Sequence, residues 1–341
     1  MRLGIYSDIH LSKNDSQIDE KNIHNIHESV LWARETFKQE GCDLIIDCGD
    51  LLDKSDIDAE TNYILSDIYK KNIGIKEIII CGNHEIKDID GTYNSLCVLD
   101  NYKDVEIYNK IHTLKINDNL TLVFQPYTRK EENIKELVDT LDKIKGKKIL
   151  FSHLTYVNIP NIKLNENIKG EIDYNVVKDR VDLIFNGHIH TALESDKYIQ
   201  IGCITGSTFN DDYTYHKPGI IIFDTDTFEI KRIENPNAIL YTKLNYKQLS
   251  QLKDIKNKYF RIDCSPEELE KVNELLQKLG IDKYKIKIVN NTTSTTKNNT
   301  EEKVNLNIYT DPITALNNFI EIESGNFDKE ELKGFIKEYF N

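Results

Sequence analysis

Five short segments carry residue types that bind divalent cations: Asp8-Ile9-His10, Gly49-Asp50, Gly82-Asn83-His84-Glu85, His153 and Gly187-His188-Ile189-His190. In the first and the last, two side chains are separated by one residue. On an extended backbone they leave the same face, so each pair can converge on one cation or on two adjacent ones. Glycines before Asp50, Asn83 and His188 permit sharp turns that aim the next side chain at a crowded point. Mixed carboxylate, imidazole and amide donors suit manganese, iron or zinc better than calcium, and no thiolates cluster as a structural zinc site requires. About seven protein ligands oversubscribe one first-row ion, whereas two ions roughly 3.5–4 Å apart can share Asp50 and a hydroxide. Such a pair acidifies water near neutral pH and stabilises the charge that gathers on a phosphoryl group during in-line displacement.

Each segment alone is weak evidence, since Asp-x-His arises by chance and Gly-Asn favours turns. Their order and placement carry more weight. Every one follows a short apolar run with the character of a buried strand, at residues 3–6, 44–48, 78–81, 149–152 and 183–186. A strand's carboxyl end is where open α/β sheets place their sites. The remaining histidines, His24, His27, His112 and His216, read as ordinary surface or helix residues.

Positioning those strands requires helices between them. Ile23, Ile26, Val30, Ala33 and Phe37 recur at helical spacing, with weaker patterns at 62–70 and 134–144. The turn Asn117-Asp118-Asn119 between residues 111–116 and 120–125 predicts a hairpin. Further strand patterns follow at 198–201, 219–223 and 229–233. The fold class implied is a layered α/β domain, with mixed sheets flanked by helices, over residues 1–240. A small α+β unit follows at 241–289: a strand at 259–262, a helix opened by Ser265-Pro266-Glu267-Glu268, and a strand at 284–289. Residues 290–303, rich in Asn, Thr and Ser, read as a linker. Two helices at 304–341 end the chain, the second with a stripe of Leu332, Phe335, Ile336 and Phe340.

Composition is that of a soluble protein of 341 residues, 39% hydrophobic and 30% charged, without a membrane-length apolar run. The start runs directly into Asp8, which leaves no room for a cleavable leader, so a cytoplasmic location is expected. Six cysteines without paired spacing fit buried, reduced thiols. A net charge of −13 weighs against nucleic acid as a partner, although carboxylates that bind cations account for part of it.

The five segments resemble the pattern of the calcineurin-like metallophosphoesterases, D-x-H, G-D, G-N-H-D/E, H and G-H-x-H, in order over about residues 1–190. The resemblance implies that Asp8, His10, Asp50 and His190 hold one metal, that Asp50, Asn83, His153 and His188 hold the other, and that Asp50 bridges. It makes His84 the catalytic histidine, which contacts the scissile phosphate and protonates the leaving oxygen. Glu85 stands where many relatives carry Asp and would orient His84. Within the superfamily the chain looks like the SbcD-type nuclease subunit of double-strand-break repair complexes, phage-like branch. Residues 198–202, 205–210 and 219–224 resemble the closing strands of those subunits, the small unit stands at their DNA-capping domain, and the last helices stand where an SbcC-type ATPase is gripped. Asp53 occupies a position where many cellular relatives have histidine.

The resemblance implies a nuclease using two divalent ions, Mn2+ first among Mg2+, Fe2+ and Zn2+. It would degrade duplex DNA ends and cut single strands, as a homodimer working with the coiled-coil ATPase. Lys253, Lys256, Lys258, Arg261, Lys283, Lys285 and Lys287, interleaved with Tyr259, Phe260 and Tyr284, favour DNA. They are equally readable as solvated faces. Two other readings stay open: a phosphodiesterase or phosphatase acting on a nucleotide or phosphoprotein, and a non-catalytic scaffold that binds a partner through its last helices.

Overall fold

Strand-forming runs and helical stripes alternate along the chain because each must bury an apolar face against the other. The computed structural model describes residues 1–12, 22–88, 91–162, 170–206, 208–209, 213 and 216–289. Along it run β1 (Arg2–Tyr6), α1 (Asn22–Gln39), β2 (Leu44–Asp47), α2 (Ala59–Lys70), β3 (Lys76–Ile80), β4 (Val105–Tyr108), β5 (His112–Asn117) and β6 (Leu120–Gln125). Then come α3 (Glu131–Lys143), β7 (Lys147–Ser152), β8 (Tyr156–Val157), β9 (Ile172–Asp173), α4 (Tyr174–Val177), β10 (Leu183–Asn186), β11 (Leu193–Ser195) and β12 (Tyr198–Gln200). The last are β13 (Gly219–Asp224), β14 (Ile230–Glu234), β15 (Leu240–Asn245), α5 (Tyr246–Leu249), β16 (Lys258–Cys264), α6 (Leu269–Leu279) and β17 (Tyr284–Ile288).

Two six-stranded sheets form the body, in the orders β14-β13-β1-β2-β3-β4 and β11-β12-β10-β7-β6-β5. Both are mixed. β1 to β4 run parallel while β13 and β14 join antiparallel, and β6, β7, β10 and β12 run parallel while β5 and β11 close the edges antiparallel. Leu3, Ile5, Ile46 and Ile80 of the first sheet meet Leu122, Phe124, Phe151 and Phe185 of the second in a core between them. The outer face of the first sheet is covered by Ile23, Ile26, Val30, Ala33 and Phe37 of α1, the stripe read from the sequence, together with α2. Helices α3 and α4 cover the other side. The result is the layered α/β fold with mixed sheets that the sequence pattern implied. β6 is buried along its whole length, because both of its faces meet a core.

A polar cluster lies where β1 and β3 meet α1 and α2. Glu77, 1% exposed, accepts hydrogen bonds from the Tyr6 hydroxyl and from the Tyr69 hydroxyl at 3.0 Å, and pairs with the buried Arg34 guanidinium. Removing one member of a buried pair leaves the other charge uncompensated. Glu77→Ala is therefore expected to lower stability by about 3–5 kcal/mol in a urea unfolding titration.

The third sheet, β15-β16-β17, is all parallel, with α6 packed on one face through Val272 and Leu276 against Phe260 and Ile262. The Ser265–Glu268 capping box read from the sequence opens the turn before α6, and Gly280 in the left-handed conformation closes that helix. The expected linker and terminal helices, residues 290–341, lie outside the described residues, as do Ser207 and Asn210. Among the described residues no helix is long and apolar enough to cross a membrane.

Candidate metal centre

The five segments leave the carboxyl ends of β1, β2 and β3 in the first sheet and of β7 and β10 in the second. Their backbones are not extended, as the same-face argument assumed. Asp8, His10, Asp50 and His188 have φ of 54°, 49°, 56° and 76°. Left-handed conformations cost a non-glycine residue roughly 1–2 kcal/mol each, and their concentration at one point marks strain that holds side chains in place. The strained turns are tied together: the Asp8 N–H donates to the Gly49 carbonyl at 3.0 Å and the His10 N–H to the Asp50 carbonyl at 2.9 Å.

Of the glycines that precede site residues, Gly49 has the positive φ, 96°, that a turn requires. The other two serve close approach instead. A Cβ on Gly82 would overlap Asp50 Oδ1 and lie 2.5 Å from the Asp50 amide nitrogen. On Gly187 it would overlap Ser7 Oγ and lie 2.5 Å from the Cys48 carbonyl oxygen.

Among the described residues three groups of candidate donors result, one of them His10, Asp53 and His84, and two are built from the motif ligands. Asp8, His10 and His190 present ligand atoms within 4.8 Å of one another, and Asp50, His153 and His188 do the same. His10 Nε2 and His190 Nε2 stand 2.9 Å apart, about the spacing of two nitrogens that each sit about 2.1 Å from one cation. In the second group His153 Nε2 lies 3.1 Å from Asp50 Oδ2 and 3.2 Å from Asn83 Oδ1. Asp50 Oδ2 is also 3.8 Å from His10 Nε2, so one carboxylate oxygen faces both groups. All seven residues that the motifs single out as ligands therefore converge. The fit to a pair of cations rests on this donor set, with two buried carboxylates among four imidazoles.

Local charge follows from burial and from Asp50. Burial opposes protonation of His153, but the adjacent Asp50 carboxylate outweighs it and holds the imidazole up at about 9. Burial and the neighbouring His153 push His188 down to about 3, which keeps a lone pair available for a cation. Burial alone would raise Asp50, yet His153, His10 and His84 together hold it well below the usual carboxylate range. His153 Nδ1 contacts the Cys48 carbonyl at 2.7 Å, which fixes its tautomer and turns Nε2 toward Asp50.

His84 differs from the others. Its side chain is 37% exposed, its Nε2 lies 3.9 Å from Asp50 Oδ2, and its Nδ1 contacts the Asp53 carbonyl at 2.6 Å. The sequence reading gave the orienting task to Glu85. Instead, the buried Glu85 carboxylate accepts from the amides of Asp50, Leu52 and Gly82 at 3.2, 2.8 and 2.7 Å, and so braces the two loops. Burial and Asp50 push its carboxyl up to about 8, while the amides of Leu52 and Gly82 pull the other way. Asp53 orients His84 through its backbone, and its side chain stands 3.3 Å from His10 Nδ1.

A family model of calcineurin-like phosphoesterases matches residues 1–192, the stretch that holds all seven donors and His84. The chain belongs to the calcineurin-like phosphoesterase family. As a calcineurin-like phosphoesterase it is a metal-dependent hydrolase of phosphoesters, a class that uses dinuclear metal centres, and its two donor groups fit that use. Among solved structures it is similar to a novel archaeal phosphodiesterase, at 17% identity and a TM-score of 0.36 over 68% of this chain and 99% of that one. It is also similar to a dimetal phosphatase from Danio rerio, at 14% identity and a TM-score of 0.43 over 68% and 96%. A third is the nuclease MPE of Pseudomonas putida, at 13% identity and a TM-score of 0.31 over 68% and 87%. No curated protein matches the chain.

The other histidines stand elsewhere: His24 beside Glu60, His27 beside Asp67, and His112 stacked on Tyr108. His216 lines a separate cavity with Lys217 and Arg232. The basic and aromatic clusters of the small unit divide. Tyr259 and Phe260 are 1% exposed and cannot stack on a base, Lys258 pairs with Asp254 at 2.6 Å, and Arg261 pairs with Asp263 at 2.9 Å. Lys285 instead lines a cavity of about 360 Å3 together with His10, His84, His190, Phe209 and Tyr241. Tyr127, whose ring centroid lies 5.6 Å from that of His188, belongs to no motif. The available signal was its place just past β6, the strand beside β7.

Proposed function

We propose that the chain is a two-metal DNA nuclease that hydrolyses phosphodiester bonds at duplex ends and within single strands. Asp8, His10, Asp50 and His190 would hold one cation, and Asp50, Asn83, His153 and His188 the other, with Mn2+ the expected ion. Bound there, two divalent cations supply charge neutralisation for the phosphoryl group and lower the pKa of the attacking water. His84 supplies the proton. With Nδ1 engaged by the Asp53 carbonyl, Nε2 is the nitrogen that can carry a proton to the leaving oxygen. Its exposure leaves that nitrogen accessible to substrate.

The observation that favours DNA over a small phosphoester is the cavity shared by His84 and His190 with Lys285 of β17 and the half-buried Phe209. A cation and an aromatic ring beside the metal centre are what a polynucleotide strand uses. Asp53 would keep its place as a supporting residue, and Glu85 would brace the loops. The terminal residues 304–341 would bind an SbcC-type ATPase, and the chain would act as a homodimer. A second reading, a phosphodiesterase of nucleotides, is favoured by the net charge of −13.

The deciding experiment compares bis-p-nitrophenyl phosphate, single-stranded DNA and duplex DNA with Mn2+ present. Cleavage of the small ester without either DNA would overturn the nuclease reading. His84→Ala is expected to retain its metal and to lose about 10²-fold in kcat on DNA. The loss on bis-p-nitrophenyl phosphate is expected to be smaller, because nitrophenolate leaves without a proton. Equal losses on both substrates would remove His84 from the acid role.

A further inference from the structure

The motifs account for the metal centre and for the His84 flank, but not for the opposite flank beside Asn83 and His188. That flank is formed by the stretch that follows β6. The Tyr127 N–H donates to the Cys81 carbonyl at 2.9 Å, which ties this stretch to the segment just before Gly82 and Asn83. The Tyr127 ring then lies 5.6 Å from His188 and 6.4 Å from His153, centroid to centroid. Its hydroxyl accepts a 2.6 Å hydrogen bond from Arg129 Nε, with the guanidinium carbon 5.7 Å from the ring centroid. Arg129 is exposed, and with Nε committed to Tyr127 its terminal N–H groups remain for a ligand.

Asn83, Lys87, Tyr127 and Arg129, with Ile86 and Asp88, line an open cavity of about 330 Å3. Tyr127 also lines the next cavity, of about 480 Å3, together with Lys110 and Lys130. The two cavities share Tyr127, and their walls carry four cationic side chains, Lys87, Arg129, Lys110 and Lys130, against Asp88 and Glu136. Lys87 shares its charge with Asp56 at 2.8 Å. In a chain of net charge −13, a cationic excess in the walls around Tyr127 is a local departure from composition.

We infer that Arg129 is a specificity residue which holds the phosphate next to the scissile one, on the Asn83–His188 side, and that Tyr127 positions its guanidinium. This rests on the nuclease reading and narrows it. A substrate that uses both the His84 flank and the Arg129 flank must extend on both sides of the broken ester, as a polynucleotide strand does and a phosphomonoester does not. A planar guanidinium fixed through Nε suits a phosphate oxygen pair.

The test measures Mn2+-dependent cleavage of a single-stranded oligonucleotide and of bis-p-nitrophenyl phosphate by wild type, Arg129→Ala, Arg129→Lys and Tyr127→Phe. Arg129→Ala is expected to raise the oligonucleotide KM about tenfold more than that of the small ester, and to reduce the salt slope of oligonucleotide binding by about one. Arg129→Lys, which keeps the charge without the fork, should recover part of the loss, and Tyr127→Phe should show an intermediate KM. An unchanged oligonucleotide KM in Arg129→Ala overturns the subsite, as does an equal KM rise on both substrates, which would indicate general damage. Wild-type cleavage of the small ester without the oligonucleotide overturns the nuclease reading and takes the subsite with it.

Discussion

Asp50→Asn is expected to reduce Mn2+-dependent phosphodiester hydrolysis on the order of 10³-fold, the rate equivalent of several kcal/mol of lost metal-centred stabilisation. The Asp50 side chain faces both donor groups: Oδ2 is 3.1 Å from His153 Nε2 and 3.8 Å from His10 Nε2, and it is also 3.9 Å from His84 Nε2. Asparagine keeps the shape and can keep the bond that Oδ1 accepts from the His84 N–H at 3.0 Å. It replaces the anionic oxygen by a neutral amide, which cannot bridge two cations. Metal content measured by plasma mass spectrometry should fall below that of wild type, while circular dichroism remains native. Activity within tenfold of wild type would show that Asp50 does not bridge.

Gly82→Ala is expected to lower the rate about 10²-fold, for a steric reason. The added methyl would overlap Asp50 Oδ1 and sit 2.5 Å from the Asp50 amide nitrogen. That amide cannot retreat freely, since it donates to Glu85 at 3.2 Å, and Glu85 also holds the amides of Leu52 and Gly82. The Asp50 carboxylate must move, and a displacement near 1 Å at a catalytic group lowers rate about 10²-fold. Stability should fall by about 1–3 kcal/mol, as for overpacking elsewhere. Gly280→Ala serves as the comparison. Its Cβ meets nothing within 4 Å but its φ is 67°, so it should lose only the roughly 1–2 kcal/mol of left-handed strain, with kcat unchanged. Equal kcat in Gly82→Ala and wild type would mean that the loop yields.

The donors were legible because each follows a run that has to be a buried strand. Apolar residues such as Ile45-Ile46 or Leu150-Phe151 announce the strand, and the polar residue that ends the run announces the site. The α1 stripe was legible for the same reason: its period matches one buried face. Conformation at the site was not legible. The left-handed backbones of Asp8, His10, Asp50 and His188 are imposed by hydrogen bonds between loops 40 residues or more apart in sequence, such as Asp8 to Gly49 and His10 to Asp50. Glu85 misled for a related reason. The family resemblance implied that it orients His84, but its carboxylate turns inward to amides of another loop. β4 and β15 were missed because edge strands carry mixed polar patterns, Val-Glu-Ile-Tyr and Leu-Tyr-Thr-Lys-Leu-Asn, with weak alternation. Sequence likewise gave no means of separating the buried Tyr259 and Phe260 from Lys285 at the cavity, since that sorting depends on the register of β16 with β17.

The most direct test of the account is a titration of Mn2+ into metal-free protein while hydrolysis of bis-p-nitrophenyl phosphate is followed. Two donor groups that share Asp50 require hydrolysis to remain low through the first equivalent and to rise as the second binds, with saturation at two ions per chain. Full activity at one equivalent, or no hydrolysis at any Mn2+ concentration, would contradict it.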